Sequence, residues 1–119
     1  MNVKFLTTLD VRDIDDHKWQ LLAPFVVDVE GAFICVPAGF ITDFASVPRI
    51  PLTYMLFGNI GHRAAVVHDY IYSTGIFPRE YADDVFKALL QAEGVGTVRS
   101  NVMYAGVRAF GSQFYNEKD

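Results

Sequence analysis

The chain has 119 residues, of which 51% are hydrophobic and 20% charged. That is the length of one ordinary domain with enough apolar surface for a core, and it excludes a disordered polar tract. The 10 basic and 14 acidic residues give a formal charge of −4, which excludes a broad phosphate-binding surface, so no nucleic-acid partner is expected.

The first half predicts β structure. Val3 to Val11, Trp19 to Val29 and Ala32 to Ile41 are rich in β-branched and aromatic residues. Asp13-Ile14-Asp15-Asp16 predicts the turn between the first two strands, and Glu30-Gly31 a tight hairpin turn between the next two. Pro24 weakens the middle strand or marks an edge, because proline cannot donate to a ladder. Cys35, the single cysteine, lies in an apolar run and reads as a small buried residue. With no partner for an internal disulfide, the chain suits a reducing compartment. Met1 to Leu9 has no long apolar run behind basic residues, so no secretory leader is expected. No stretch approaches the roughly 20 apolar residues of a membrane span.

From Thr42 to Gly61 the pattern breaks around Pro48, Pro51, Gly58 and Gly61, which predicts a long loop. Three helices follow. The first runs from about His62 to Ser73 and is ended by Gly75. The second starts near Pro78 and stops before Gly94. The third follows Thr97 as N-cap and runs to about Phe110. The tail from Ser112 to Asp119 is mostly polar and is expected to fray. Residues 1–119 thus read as a single domain of the α+β class, with N-terminal antiparallel strands and hairpins followed by three C-terminal helices.

The informative residues are His68-Asp69, set in the apolar run from Ala64 to Tyr72. At about 100° per residue, His68 falls within the stripe Ala64, Val67 and Ile71, with Tyr72 one turn away and Asp69 at the margin. On the second helix Asp83 borders the stripe Ala82, Val85, Phe86, Leu89 and Leu90, whereas Asp84 points outward. On the third, Val98, Val102, Met103, Gly106, Ala109 and Phe110 predict the apolar face, with Arg99 inside it and Arg108 outside. A guanidinium inside a core needs acceptors, and Asp43, Asp69 and Asp83 are the candidates. The expected cluster is His68, Asp83 and Arg99, edged by Asp69 and Asp43. An architectural network pinning three helices to a sheet is the plainer reading of the same residues. Thr42 or Asp43 has its own plain reading, a turn cap.

Gly39-Phe40-Ile41-Thr42-Asp43-Phe44-Ala45-Ser46-Val47-Pro48-Arg49, then Ala64 to Tyr72, Ala82-Asp83 with Phe86, and Arg99 with Met103-Tyr104, Val107-Arg108 and Phe110-Gly111 occur in an order that resembles a family of small phage and prophage proteins described as a domain of unknown function. That resemblance implies a phage context, with the host cytoplasm or the virion as location and other phage structural proteins as partners. It implies no activity. Locally, His68-Asp69 with Tyr72, followed by Asp83-Asp84 and Phe86, is similar to the histidine helix of bacterial phospholipases A2. This second resemblance implies His68 as the base that activates water, Asp83 as the group that orients it, Asp69 as a calcium ligand and Tyr72 as support. Asp43 is a further metal candidate, and Phe57 to Gly61 a source of carbonyl ligands.

Two functions follow as expectations. One is a calcium-assisted ester hydrolase. The other is a non-enzymatic virion, tail or assembly component whose His68–Asp83–Arg99 cluster is structural, with aromatics near Phe114 and Tyr115 free to dock a neighbour.

Overall fold

Alternation of inward apolar and outward polar side chains builds the first half of the chain. The computed structural model describes residues 1–15, 18–42 and 61–116. The strands are β1 (Val3–Phe5), β2 (Val11–Asp15), β3 (Lys18–Leu21), β4 (Phe25–Val29), β5 (Ala32–Val36) and β6 (Ile41–Thr42). They form two antiparallel three-stranded sheets, ordered β1-β4-β5 and β2-β3-β6. Three helices follow: α1 (His62–Thr74), α2 (Arg79–Ala92) and α3 (Thr97–Phe110), with a 3-10 turn over Gly111–Phe114. The architecture is α+β, strands before helices.

The three long strands expected from the sequence are each broken in two, for local reasons. After Phe5 the ladder is interrupted because the Thr7 hydroxyl, not a carbonyl, accepts the Val26 N–H at 3.0 Å. The chain then leaves the first sheet to make β2 and β3, and returns to it at β4. Pro24, which has no N–H, stands at that return. The turn expected at Asp13 to Asp16 is instead strand as far as Asp15. Its pairing shifts between Asp13 and Asp15, as at a bulge, and Asp16 lies outside the described residues. The Glu30-Gly31 turn is present, with φ of 52° and 86°. Both central residues are left-handed, as a two-residue hairpin requires.

Phe25, Val27 and Val29 of β4 and Ile34 and Val36 of β5 point inward. Full burial of each such side chain contributes about 1.5–3 kcal/mol. Cys35 falls between the two buried β5 positions and is exposed. The expectation of a buried cysteine fails because strand side chains alternate and its neighbours claim the core face. The helices pack in series, α1 on α2 and α2 on α3, with α1 also against β5 and β6 and α2 against β1.

α3 corrects the expected phase. Its buried residues are Ser100, Met103 and Val107, while Val98 is 78% exposed and Val102 and Phe110 are exposed. The inward face contains a serine, and its hydroxyl donates to the Val95 carbonyl at 3.1 Å. An arc chosen by apolar residues alone therefore turns the helix the wrong way. The N-cap is Gly96 rather than Thr97. The tail is docked as far as Asn116: Tyr115 donates its hydroxyl to the Phe77 carbonyl at 2.6 Å, and the Asn116 N–H bonds the Tyr72 carbonyl at 2.8 Å. Among the described residues no helix is long and apolar enough to cross a membrane.

Candidate active site

Helix α1 carries the site and begins without a local cap. Its first residue follows Gly61, a left-handed residue that offers no side chain. Glu93, from the end of α2, does the capping across the fold. Its carboxylate accepts the Gly61 N–H at 2.8 Å and the Ala64 N–H at 2.6 Å. An anion at the positive end of a helix is favourable in hydrogen bonding and in charge. Gly75, with φ 64°, closes the other end and donates to the Ile71 carbonyl. Sheet on one side and α2 on the other then bury Ala64 through Asp69, Ile71 and Tyr72.

His68 and Asp83 are both fully buried, and His68 Nε2 lies 2.6 Å from Asp83 Oδ1. Tyr72 donates its hydroxyl to the same oxygen at 2.7 Å. The other oxygen, Oδ2, accepts from Arg108 Nη1 at 2.8 Å and has Arg79 Nη1 at 3.6 Å. The His68 ring also packs on Tyr72 and Phe86, with centroids 4.1 and 4.7 Å away. Asp69 is 6% exposed, and its Oδ2 accepts the Thr42 hydroxyl at 2.8 Å, which ties the end of β6 to α1.

Burial drives His68 below the ordinary imidazole value, against the opposing hydrogen bond and charge of Asp83 and the charge of Asp69. The ring is therefore neutral at neutral pH. Burial would raise Asp83, but the hydrogen bonds from His68, Tyr72 and Arg108 outweigh it. The carboxyl is held below the usual range. Burial first, then donation to Asp83, pushes the Tyr72 hydroxyl far above its ordinary value, so it stays a donor. An ionised carboxylate only accepts, so the contact with His68 requires the ring proton on Nε2. That assignment leaves the lone pair on Nδ1. Nδ1 is buried and has no hydrogen-bond partner among the described residues. The arrangement is a base, an orienting anion and a lone pair turned away from that anion, which suits proton abstraction.

The structure thus brings His68, Asp83 and Tyr72 together and sets Asp69 next to them on α1. Arg99 is not a partner of Asp83; Arg108 and Arg79 take that place. The correction follows from the phase of α3, which carries Arg108, expected outside, toward α2. Arg79 was missed although it stands one turn before Asp83, a spacing at which side chains meet. Asp84, expected on the outer face, is half-buried and accepts the Tyr104 hydroxyl at 3.0 Å. Asp43 lies outside the described residues, as do residues 57–60 of the expected carbonyl loop. Both Asp69 oxygens accept hydrogen bonds, from Thr42 and Ser73, and no group of three His, Cys, Asp or Glu side chains suited to a metal occurs among the described residues.

No curated protein and no solved structure matches the chain. Residues 19–107, from β3 into α3, match the family described as protein of unknown function (DUF1353), a span that includes His68, Tyr72, Arg79 and Asp83 and ends just before Arg108, and the chain belongs to that family.

Proposed function

We propose that the protein is an ester hydrolase in which His68 activates water, similar in its histidine helix to phospholipases A2. The observation that carries this reading is His68 Nδ1, fully buried and without a hydrogen-bond partner among the described residues, on a ring whose other nitrogen is held by Asp83. Leaving such an atom unsatisfied costs about 1–3 kcal/mol, and a catalytic role explains why a fold would keep it. In the reaction Nδ1 takes a proton from water as the water oxygen forms its bond to the ester carbonyl carbon. The imidazolium so formed is stabilised by Asp83 and returns the proton to the departing alkoxide. General base catalysis of this kind is worth about 10²–10⁴-fold. Calcium, held by Asp69 with Asp43 as a further ligand, would supply positive charge for the carbonyl oxygen. The substrate class is an acyl ester of a phospholipid.

Fatty-acid release from phosphatidylcholine and phosphatidylglycerol vesicles, with calcium or with chelator, tests this directly. The expected result is calcium-dependent release that is lost in His68→Gln with the circular dichroism spectrum retained. A calcium-dependent rise in melting temperature that disappears in Asp69→Asn is expected alongside it. Equal release by wild type and His68→Gln, or none with any divalent ion, overturns the reading.

A second reading is a phage virion, tail or assembly component, located in the particle or the host cytoplasm, in which the Asp83 network is architectural. The exposure of Val98, Val102, Phe110 and Phe114 favours it, since these would contact other phage structural proteins. Co-purification with assembled particles, unaffected by His68→Gln, is its expected result.

A further inference from the structure

The two oxygens of Asp83 have separate duties. Oδ1 receives the two site donors, His68 and Tyr72, at 2.6 and 2.7 Å. Oδ2 receives Arg108 at 2.8 Å, from a helix that contributes nothing else to the carboxylate among the described residues. Arg108 is itself held in place. The guanidinium of Arg79 donates to the Val107 carbonyl at 3.0 Å and to the Arg108 carbonyl at 3.3 Å, gripping the last turn of α3. Directly beyond stands Gly111, where a Cβ would lie 2.7 Å from the Tyr72 hydroxyl and 3.3 Å from Arg79 Nη1. The end of α3 is thus shaped to come close to the Asp83 network.

We propose that Arg108 is a positioning residue of this site: by occupying Oδ2 of Asp83 it fixes the carboxylate so that Oδ1 faces His68 Nε2 and the lone pair of the ring stays on Nδ1. The proposal rests on the hydrolase reading for its kinetic consequence and on geometry alone for its effect on the ring. A carboxylate rotates about its Cβ–Cγ bond and offers either oxygen. A charge-assisted bond to one oxygen selects the rotamer. Among the described residues, the charged and titratable groups around His68 are Asp69 and Tyr72 on α1 and Asp83 and Arg79 on α2, with Arg108 reaching it from α3 through Asp83.

The test uses the full chain, with ¹⁵N NMR of the histidine rings at pH 8 and His68 assigned by its loss in His68→Gln. Wild type is expected to show the Nε2–H tautomer. Arg108→Gln is expected to show a mixture of tautomers, with kcat lowered about 10–100-fold, as for other residues that orient a reacting group, and KM within two-fold. Arg108→Lys restores the cation without the planar fork and is expected to recover the tautomer and most of kcat. A wild-type tautomer in Arg108→Gln overturns the proposal. So does a loss in Arg108→Gln that Arg108→Lys does not recover, which marks a packing role. Should wild type release no fatty acid while Arg108→Gln still shifts the tautomer, the hydrolase reading falls and the positioning role stands.

Discussion

Helices α1 and α3 both flank α2, yet they treat their polar residues in opposite ways. α1 is enclosed by sheet and helix, so even His68 and Asp69 are buried, and each has a defined acceptor or donor. α3 buries only Ser100, Met103 and Val107 and leaves Val98 and Val102 in solvent. Its important polar residue, Arg108, lies at the edge of the contact, where the stem can be half-covered while the guanidinium reaches a buried anion. The lesson is that the surroundings of a helix decide what its polar residues do. A histidine on the enclosed face of a helix must be satisfied or used, whereas an arginine on a half-exposed helix serves the neighbour it borders.

The contrast breaks most severely at Asp83. Asp83→Ala leaves His68, Tyr72 and the cation of Arg108 without their common acceptor. Removing one member of a buried charged network costs about 3–5 kcal/mol, measurable as a lowered urea midpoint. A loss under 1 kcal/mol would mean the network contributes little to holding the three helices together. Glu93→Ala comes next. It removes two charge-assisted bonds from the start of α1, and about 2 kcal/mol is expected by the same measurement. Gly111→Ala places a methyl group against the Tyr72 hydroxyl. A cost of about 1–3 kcal/mol is expected, as for other overpacked sites, together with a shift of the Tyr72 ring resonances.

Acidification sharpens the comparison because only α1 carries a buried imidazole among the described helices. Burial, against the pull of Asp83, holds His68 below its unfolded value of 6.5, so the unfolded chain binds a proton that the native one refuses. The stability due to His68 is therefore present above about pH 6.5 and lost as pH falls toward the native value, at up to about 1.4 kcal/mol per pH unit. Asp83, also held below its ordinary value of 3.8, loses its contribution only at pH below that. Urea melts at pH 7.5 and 5.5 are expected to show a steeper loss for wild type than for His68→Gln; parallel losses would contradict the assignment. On the outer face of α3, Val98→Ser is expected to change stability by no more than about 0.5 kcal/mol.

Much of the site was legible because it lies on periodic segments. The spacing of Ala64, Val67, His68 and Ile71 turned the imidazole inward, and the α2 stripe set Asp83, not Asp84, on the facing side. The cations were not legible. Arg99 and Arg108 stand on a helix whose apolar residues are scattered around most of its surface, and its inward serine satisfies itself on a backbone carbonyl. The strand breaks also escaped pattern reading, since Thr7 substitutes a hydroxyl for a backbone partner and composition does not show such an exchange. Cys35 was misjudged because an apolar run carries no period to tell one face from the other.

Residue pattern alone determined the class of the fold, the Glu30-Gly31 turn, the three helices and the inward direction of His68. Short-range sterics and hydrophobic periodicity act within a few residues and are written along the chain. Tertiary structure decided which guanidinium meets Asp83, which carboxylate caps α1, and which nitrogen of His68 keeps its lone pair. Each of these depends on groups far apart in sequence that only packing brings within hydrogen-bond reach.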